Sequence, residues 1–290
     1  MVFWNIKTVS HLLTKPNLVS PTGFPAERME SAEEVQQFLR EHFRQHPDVI
    51  FNIPLHELTG TVLTVKASKE IVGCIQYKAV GTHEGKLIHS VECFCVHPNW
   101  RGKGVGDYLL HELHNMMIDK PYAIFLKEGR PLSIMPAYQS SYVYREVHPM
   151  ITSNVIQVSI ETACKIMEIH QQFCPFFQLH NNTSNQIWKL YKKGINHVLC
   201  CVQDTFQELN GKKMGWVTAW IESPITDAIR EEASYQLSSS MYKEYDMIWM
   251  DKQHATSDKW TDDGLFYWYT YQWNICTDNT LKKPSYCFIF

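Results

Sequence analysis

One stretch of the chain, Val91 to Leu113, places three kinds of local sequence next to one another. It begins as the apolar run "VECFCV", breaks at His97 and Pro98, passes through the glycine-containing run "RGKGVG", and resumes with apolar residues at helical spacing. This pattern predicts a strand, a flexible cationic loop and a helix in immediate succession. The kind of ligand that this loop can bind determines most of what the sequence indicates about function.

The glycine loop, residues 101–106, has the composition of an anion site. Gly102, Gly104 and Gly106 allow several backbone N–H groups to point at one anion beside the positive end of the helix dipole, and Arg101 and Lys103 add positive charge. The loop therefore predicts a pyrophosphate site. A Walker loop needs Gly-Lys-Ser/Thr, and a dinucleotide fold needs a leading parallel βαβ unit; this sequence fits neither. The alternative interpretation is a glycine-rich connecting loop that binds no ligand.

Composition limits the class of protein. The chain has 290 residues, of which 44% are hydrophobic, enough for one large domain or two of ordinary size. A net charge of −3 without a long run of like charge argues against a nucleic-acid-binding protein. The N-terminus lacks the apolar region of a signal peptide, and no run is long enough to span a membrane. Nine cysteines, an odd number in apolar runs, predict reduced core thiols and a cytoplasmic location.

The order of predicted elements suggests an internal duplication. Residues 1–28 are expected to form an extended arm, and structure is expected to begin at Ser31, which opens a capping box with Glu34. Three antiparallel strands, the glycine loop, a helix through Met117 and a short strand then follow. After residue 155, "SIETACKIMEIHQQF" and "NQIWKLYKKG" predict two helices. A hairpin that turns at Asn210-Gly211 is expected next. A further helix then precedes the predicted strands "MIWM", "GLFYWYTYQWNI" and "SYCFIF". We therefore predict an α+β fold with units at 29–150 and 151–290.

An antiparallel sheet that leads into Arg-x-x-Gly-x-Gly and a helix resembles motif A of the GNAT acyltransferases. The resemblance implies that the loop holds the pyrophosphate of acyl-CoA, and that the pantetheine arm lies along the preceding strand. It assigns cosubstrate binding to one set of residues: Phe94, Cys95, Val96, Arg101, Gly102, Lys103, Gly104, Val105 and Gly106. It also implies that the backbone N–H groups of Cys93 and Phe94 polarise the thioester carbonyl, as an oxyanion hole does.

Other segments more specifically resemble the N-myristoyltransferase family, whose fold is a duplicated GNAT unit. "SSYVYREVHP" at 140–149 is similar to the end of the GNAT helix that carries a tyrosine near the CoA sulfur, and Tyr142, Arg145 and Pro149 keep the spacing of this family. "FCVH" at 94–97 and "GLFYWYTYQWNI" at 264–275 are similar to two of its strands. The resemblance implies transfer of an acyl group from acyl-CoA to a primary amine, with the N-terminal glycine of a peptide or protein as the expected acceptor.

The chain also departs from that family. Its loop is the acetyltransferase-like "RGKGVG" rather than Arg-Ser-Lys-Arg, Tyr144 replaces a histidine, and the second unit is short. The acyl donor is therefore open between myristoyl-CoA and acetyl-CoA, and an acetyltransferase is the first alternative. A catalytically inactive scaffold that binds CoA or peptides is the second. We expect a monomer that needs no metal.

Candidates for proton transfer lie in two places. The resemblance implies that the C-terminal carboxylate, here that of Phe290, deprotonates the acceptor amine, and that Tyr144 or Tyr142 protonates the departing thiolate. Glu92, on the strand before the loop, is the alternative base. Ser90 occupies the position where many GNAT enzymes keep a glutamate.

Two further groups of residues are expected to be structural. Cys93 and Cys95 are predicted to pack in the core rather than act as nucleophiles. His111 and His114 in "HELH" are three residues apart, whereas a zincin helix needs histidines four apart, so both are predicted to lie on the helix surface.

Overall fold

The computed structural model describes residues 18–43, 48–83, 86–117, 119, 122–131, 138–150, 152–170, 185–255, 257–271 and 286–287. Within them the helices are α1 (Ala32–His42), α2 (Val105–Met116), α3 (Ile160–His170) and α4 (Asp227–Ser239). The strands are β1 (Ala26–Arg28), β2 (Val49–Phe51), β3 (Thr61–Ala67), β4 (Glu70–His83), β5 (Lys86–Val96), β6 (Ala123–Glu128), β7 (Tyr138–Glu146), β8 (Val155–Gln157), β9 (Gln186–Lys193), β10 (Asn196–Leu209), β11 (Lys212–Glu222), β12 (Met247–Asp251), β13 (Thr261–Tyr271) and β14 (Tyr286–Cys287). None of the described helices combines the length and apolar character needed to cross a bilayer.

All the strands belong to one sheet, in which twelve follow the order β1-β3-β4-β5-β6-β13-β7-β12-β11-β10-β9-β8. Two strands lie off this path, since β2 pairs with β10 and β14 pairs with β11. Most neighbours are antiparallel, and the parallel pairs are β5 with β6 and β11 with β12. In each parallel pair, one helix connects the two strands.

The two halves repeat the same succession of elements. Apart from the short strands β1, β2, β8 and β14, the first half runs α1, β3, β4, β5, α2, β6, β7, and the second runs α3, β9, β10, β11, α4, β12, β13. This confirms the predicted α+β class, and the division into units at 29–150 and 151–290 stays a prediction. The tight turn at Asn210 and Gly211, with φ angles of 53° and 74°, also joins β10 to β11 as predicted.

The last strand of each half pairs with the other half. β13 lies between β6 and β7 of the first half, and β7 in turn lies between β13 and β12. The sheet therefore continues across residue 150, where the sequence predicts a domain boundary.

Helices cover both faces of the sheet. Leu63 and Ile75 pack with α2 on one face, whereas Val62 and Cys74 pack with α1 on the other. Neighbouring residues separate in this way because successive side chains of a strand point to opposite faces. In the second half, α3 and α4 likewise cover opposite faces, through the clusters that contain Leu199 and Cys200 respectively.

Three predictions of local structure were wrong. "NQIWKLYKKG" forms strand β9 rather than a helix, because it pairs with β8 and β10 on its two sides. The segment at 140–149 was expected to end a helix, but its residues 140–146 lie in strand β7. Ordered structure also begins before Ser31, since β1 pairs with β3.

Candidate active site

The site begins where two parallel strands part. β5 pairs with β6 only through His89 with Ala123 and Ser90 with Ile124. From Val91 to Val96, strand β5 keeps β4 as a neighbour on one side, and no described strand pairs with its other edge. This edge offers unpaired backbone donors to a ligand that enters between the strands.

A β-bulge lies on this edge. Cys74 pairs with Cys95 and Gln76 with Glu92, so that Cys93 and Phe94 together stand opposite a single residue of β4. Cys93 has a φ of 49°, a left-handed conformation that costs a non-glycine residue about 1–3 kcal/mol and clusters at functional sites. The bulge takes the N–H groups of the two bulged residues out of the regular ladder.

The bulge also reverses which face each side chain occupies. Val91 and Val96 both pack on the α2 face, although they are five residues apart and regular alternation would separate them. Cys93 and Cys95 pack on the α1 face. The Sγ of Cys74 donates to the carbonyl oxygen of Cys93 over 3.2 Å, which holds the bulged peptide in place.

The glycine loop lies at the end of the same strand. Gly102 and Gly104 have φ angles of 74° and 87°, and Gly104 is the N-cap of α2. The guanidinium Nε of Arg101 donates to the carbonyl oxygen of Val96 over 3.1 Å, which ties the loop to β5. The first N–H groups of a helix have no intrahelical acceptor, so the loop presents them next to an exposed arginine and lysine. The arrangement is that of an anion cradle.

Helix α2 approaches the sheet closely because two glycines leave room for it. A Cβ on Gly73 of β4 would lie 2.7 Å from the Cγ1 of Val105 and 2.9 Å from the Cδ1 of Leu109. A Cβ on Gly106 would lie 3.2 Å from the Cζ of Phe94. The bulge, the loop and the first turns of α2 are therefore in mutual contact.

An apolar cleft lies on the α2 face beside the point where β5 and β6 part. Its walls come from α2, β4, β5 and β6, and they are formed by Tyr77, Val91, Leu110, Leu113, His114, Met117 and Ala123. The cleft has room for little more than one water molecule, so these side chains pack closely beside the open edge of β5.

Polar side chains meet on the opposite face, which is the α1 face. Lys78 stands opposite Ser90, and Gln76 stands opposite Glu92. The Nζ of Lys78 lies 2.7 Å from the Oε2 of Glu57. Glu57 is the last residue of the 3₁₀ turn Leu55–Glu57. Sequence reasoning missed this group, apart from Glu92, because only the pairing of β4 with β5 brings its members together.

Burial keeps the nearby thiols protonated. It raises the pKa of Cys93 well above the usual range, with a further contribution from the charge of Glu92, and it raises the pKa of Cys95 to about 12. Both thiols are free and buried. This agrees with the expectation that they pack rather than attack.

The two tyrosines predicted to protonate the thiolate lie on β7, away from strand β5. Tyr142 is fully buried on β7 and stacks on Trp249 with ring centroids 4.3 Å apart, and burial, with the charge of Asp251, raises its pKa. Tyr144 is half-buried on the same strand. Both β6 and β13 lie between β7 and β5. Phe290, the predicted base, lies outside the described residues.

The prediction for the "HELH" histidines was wrong in one of two cases. His111 is buried rather than on the helix surface, and one ring nitrogen lies 3.1 Å from the Nδ2 of Asn115. His114 is half-buried, and burial lowers its pKa. Among the described residues, no three histidine, cysteine or acidic side chains are grouped as metal ligands.

Comparison with known proteins agrees with this geometry. Residues 59–139, which include the bulge and the glycine loop, match a family described as an acetyltransferase (GNAT) domain. No curated protein sequence matches the chain.

Two solved structures of Saccharomyces cerevisiae N-myristoyltransferase are similar over most of both chains. One, with bound myristoyl-CoA and inhibitors, has a TM-score of 0.64 and 12% identity, and the match covers 88% of this chain and 81% of that one. Another, with bound myristoyl-CoA, has a TM-score of 0.59 and 13% identity, covering 89% and 86%. At this identity the likeness establishes a shared fold.

Proposed function

We propose that this chain, of which residues 59–139 match an acetyltransferase (GNAT) domain, moves an acyl group from acyl-CoA to the amine of a peptide or protein N-terminus, as an N-myristoyltransferase does. The observation that carries the proposal is the bulge at Cys93 and Phe94. The bulge interrupts the pairing of β5 with β4 next to the open edge of β5, and the glycine loop follows at the end of the same strand, which supports a thioester site here.

In this proposal the glycine loop binds the pyrophosphate of CoA. The exposed side chains of Arg101 and Lys103 supply positive charge, and the first turn of α2 supplies N–H donors. The pantetheine arm then follows the open edge of β5 back toward the bulge. Its thioester carbonyl accepts hydrogen bonds from the N–H groups of Cys93 and Phe94.

The bulge amides act during the transfer itself. The neutral amine nitrogen attacks the thioester carbon, a C–N bond forms, and an electron pair moves to the carbonyl oxygen. The amides of Cys93 and Phe94 stabilise this charge as it develops. Collapse of the intermediate breaks the C–S bond, and a proton from the nitrogen leaves with the thiolate as CoA–SH.

The similarity to N-myristoyltransferase supports a long acyl chain. Both similar structures contain bound myristoyl-CoA, and each match covers most of this chain. This favours a fatty acyl donor over an acetyl group.

One observation favours an acetyltransferase instead. The matched family is described as an acetyltransferase domain, and the loop "RGKGVG" has the ordinary acetyltransferase pattern. This second candidate uses the same bulge and loop, and it differs only in the acyl group.

A single assay tests these candidates. The full chain is incubated with a mixture of acetyl-, decanoyl- and myristoyl-CoA and with peptides that start with glycine or alanine, and the products are analysed by mass spectrometry. We expect acylation at the N-terminal amine with a long chain. An acetylated product alone would favour the second candidate, and the absence of any acylated product would leave a CoA-binding scaffold.

Calorimetry with CoA tests the loop. Gly104→Val forces a branched residue into a φ of 87°, so we expect CoA affinity to fall about 10- to 100-fold. Gly194→Val is the matched control, because Gly194 has a φ of 63° in the turn between β9 and β10, away from the site. Unchanged affinity in a folded Gly104→Val protein would remove the loop from the CoA site.

A further inference from the structure

We propose that Arg145 is the centre of a carboxylate-binding site on the face of the sheet that α4 covers, with Tyr235, Lys259 and Trp260 around it. Strand β7 supplies Arg145, whereas α4 and the segment before β13 supply the other three residues. The site is separate from the glycine loop and from the open edge of β5. The inference goes beyond the acyl transfer proposed above and does not depend on it.

A buried positive charge without a counter-ion is the main support. Arg145 is only 7% exposed. Its contacts are with the carbonyl oxygen of Glu146 and with the rings of Tyr235 and Trp260, and within the described residues it forms no ion pair. Arginine is almost never buried unless it is paired, because removing its charge from water is costly. The burial of Arg145 therefore indicates that an anion binds there.

The orientation of the guanidinium leaves one of its edges available. The Nε donates to the carbonyl oxygen of Glu146 over 3.2 Å, which fixes that side against the backbone at the end of β7. The Nη1 is buried, and no described residue accepts a hydrogen bond from it. The edge formed by Nη1 and Nη2 is one that binds a carboxylate through two parallel N–H···O bonds.

Two aromatic rings line the site. The Cζ of Arg145 lies 4.1 Å from the ring centroid of Tyr235 and 5.4 Å from that of Trp260. Rings at these distances stabilise the cation in part, but they do not balance its charge. The Nε1 of Trp260 is a second buried donor for which the described residues provide no acceptor. A carboxylate supplies two acceptor oxygens next to these donors.

Lys259 lies on the solvent side of the site. It is exposed, and its Nζ is 5.1 Å from the centroid of the same Tyr235 ring that contacts Arg145. This second positive charge attracts anions toward the site. Glu231, one turn before Tyr235 on α4, is held by the neighbouring loop, since its Oε2 accepts from the N–H of Ser257 over 3.2 Å.

The charge inside the site favours a carboxylate over a phosphate. The one buried guanidinium carries a single positive charge, which one carboxylate balances. A phosphate group carries roughly −1.5 to −2 near neutral pH, so it would bring surplus negative charge into a site walled by aromatic rings. The carboxylate has two possible sources, a small organic acid in solution and an acidic side chain of a peptide.

Titrations followed by NMR test the site. The probes are acetate, the blocked peptide acetyl-Ala-Asp-Ala-amide, its neutral counterpart acetyl-Ala-Asn-Ala-amide, and inorganic phosphate, each at constant ionic strength. We expect acetate and the Asp peptide to shift the indole N–H signal of Trp260 saturably, and the Asn peptide to leave it in place. Trp260→Phe identifies the signal by its loss. Tighter binding of the Asp peptide assigns the site to peptides, and tighter binding of acetate assigns it to small acids.

Three variants connect the signal to the proposed residues. Arg145→Met removes the charge and keeps a long side chain, so carboxylate binding should weaken at least about tenfold. Without carboxylate its melting temperature should equal or exceed the wild-type value, because the variant no longer buries an unpaired charge. Lys259→Gln should weaken binding about two- to fivefold. Lys69→Gln, at an exposed position between β3 and β4, should bind like the wild type.

Three results would overturn the proposal. One is the absence of a saturable shift in the wild type with both acetate and the Asp peptide. Another is binding of phosphate or the Asn peptide at least as tight as that of the carboxylates. The third is undiminished binding in folded Arg145→Met. If that variant does not fold, Lys259→Gln decides, and undiminished binding in it refutes the site. Acyl transfer is measured separately, with acyl-CoA and a glycine-starting peptide, so either proposal can fail alone.

Discussion

At the scale of single residues, the backbone of Cys93 distinguishes the site from an ordinary strand. Cys93 and Cys95 share a strand and an apolar cluster, but only Cys93 has a positive φ, of 49°. A β-branched residue is a steric outlier there. We therefore expect Cys93→Val to destabilise the protein by about 1–3 kcal/mol more than Cys95→Val, measured by denaturant unfolding. Equal losses would show that the bulge carries no strain.

His254 gives a prediction for acid stability. It is fully buried, stacks on Trp220 with ring centroids 4.5 Å apart, and has its pKa lowered well below the usual range by burial and by the charge of Arg230. As pH falls below about 6.5, the unfolded chain binds a proton at this residue and the folded chain does not. Stability should then fall by up to about 1.4 kcal/mol per pH unit.

The variant His254→Phe keeps a ring on Trp220 and removes the titration. Its stability should decline less steeply than that of the wild type between pH 7 and 5, as followed by thermal unfolding at each pH. His148→Phe, at an exposed position, should retain the wild-type slope. Parallel curves for the wild type and His254→Phe would contradict the prediction.

Sequence alone predicts the backbone features of the site better than its side chains. Gly102 and Gly104 are recognisable because glycine at such spacing signals positive φ, and the structure places both there. The partners of Glu92 were missed, since Gln76 and Lys78 come close to it only through strand pairing. Pairing across strands leaves no local signal in the sequence.

At the scale of elements, the contact between β4 and α2 is the tightest part of the site. Gly73→Ala would add a methyl group 2.7 Å from the Cγ1 of Val105. We expect a loss of about 1–3 kcal/mol in unfolding free energy. Since Val105 is part of the glycine loop and the first residue of α2, CoA affinity should fall as well.

A double-mutant cycle checks the cause. Val105→Ala removes the atom that the new methyl group meets, so the pair Gly73→Ala with Val105→Ala should be more stable than the sum of the single changes predicts. Thermal unfolding and calorimetry with CoA measure the two effects. Additive changes in unfolding free energy would mean that the clash with Val105 is not the cause of the loss.

Strands β7 and β9 show where element prediction fails. In β9 the apolar residues Ile187, Leu190 and Tyr191 have helical spacing, yet the segment pairs with strands on both sides. Tertiary pairing overrides local pattern in short segments of this kind. By contrast, α1 begins at the predicted cap, where the Oγ of Ser31 accepts from the N–H of Glu34 over 3.1 Å.

At the scale of the whole molecule, the exchanged strands make the two halves depend on each other. A fragment of residues 29–150 lacks β13 and would expose the open edge of β6, which invites aggregation. We expect this fragment and residues 151–290 each to lack a cooperative unfolding transition when alone, and the two co-expressed fragments to recover one. A stable 29–150 fragment that binds CoA would instead support the predicted boundary.

The position of β13 also sets the order of events when a ribosome makes this chain. Residues 123–146 emerge first, but their strands β6 and β7 must wait for residues 261–271 to fill the space between them. At ordinary rates of synthesis the wait is on the order of ten seconds. During it the edges of β6 and β7 that pair with β13 stay unpaired, so we expect newly made chains to be the form of this protein most prone to aggregate.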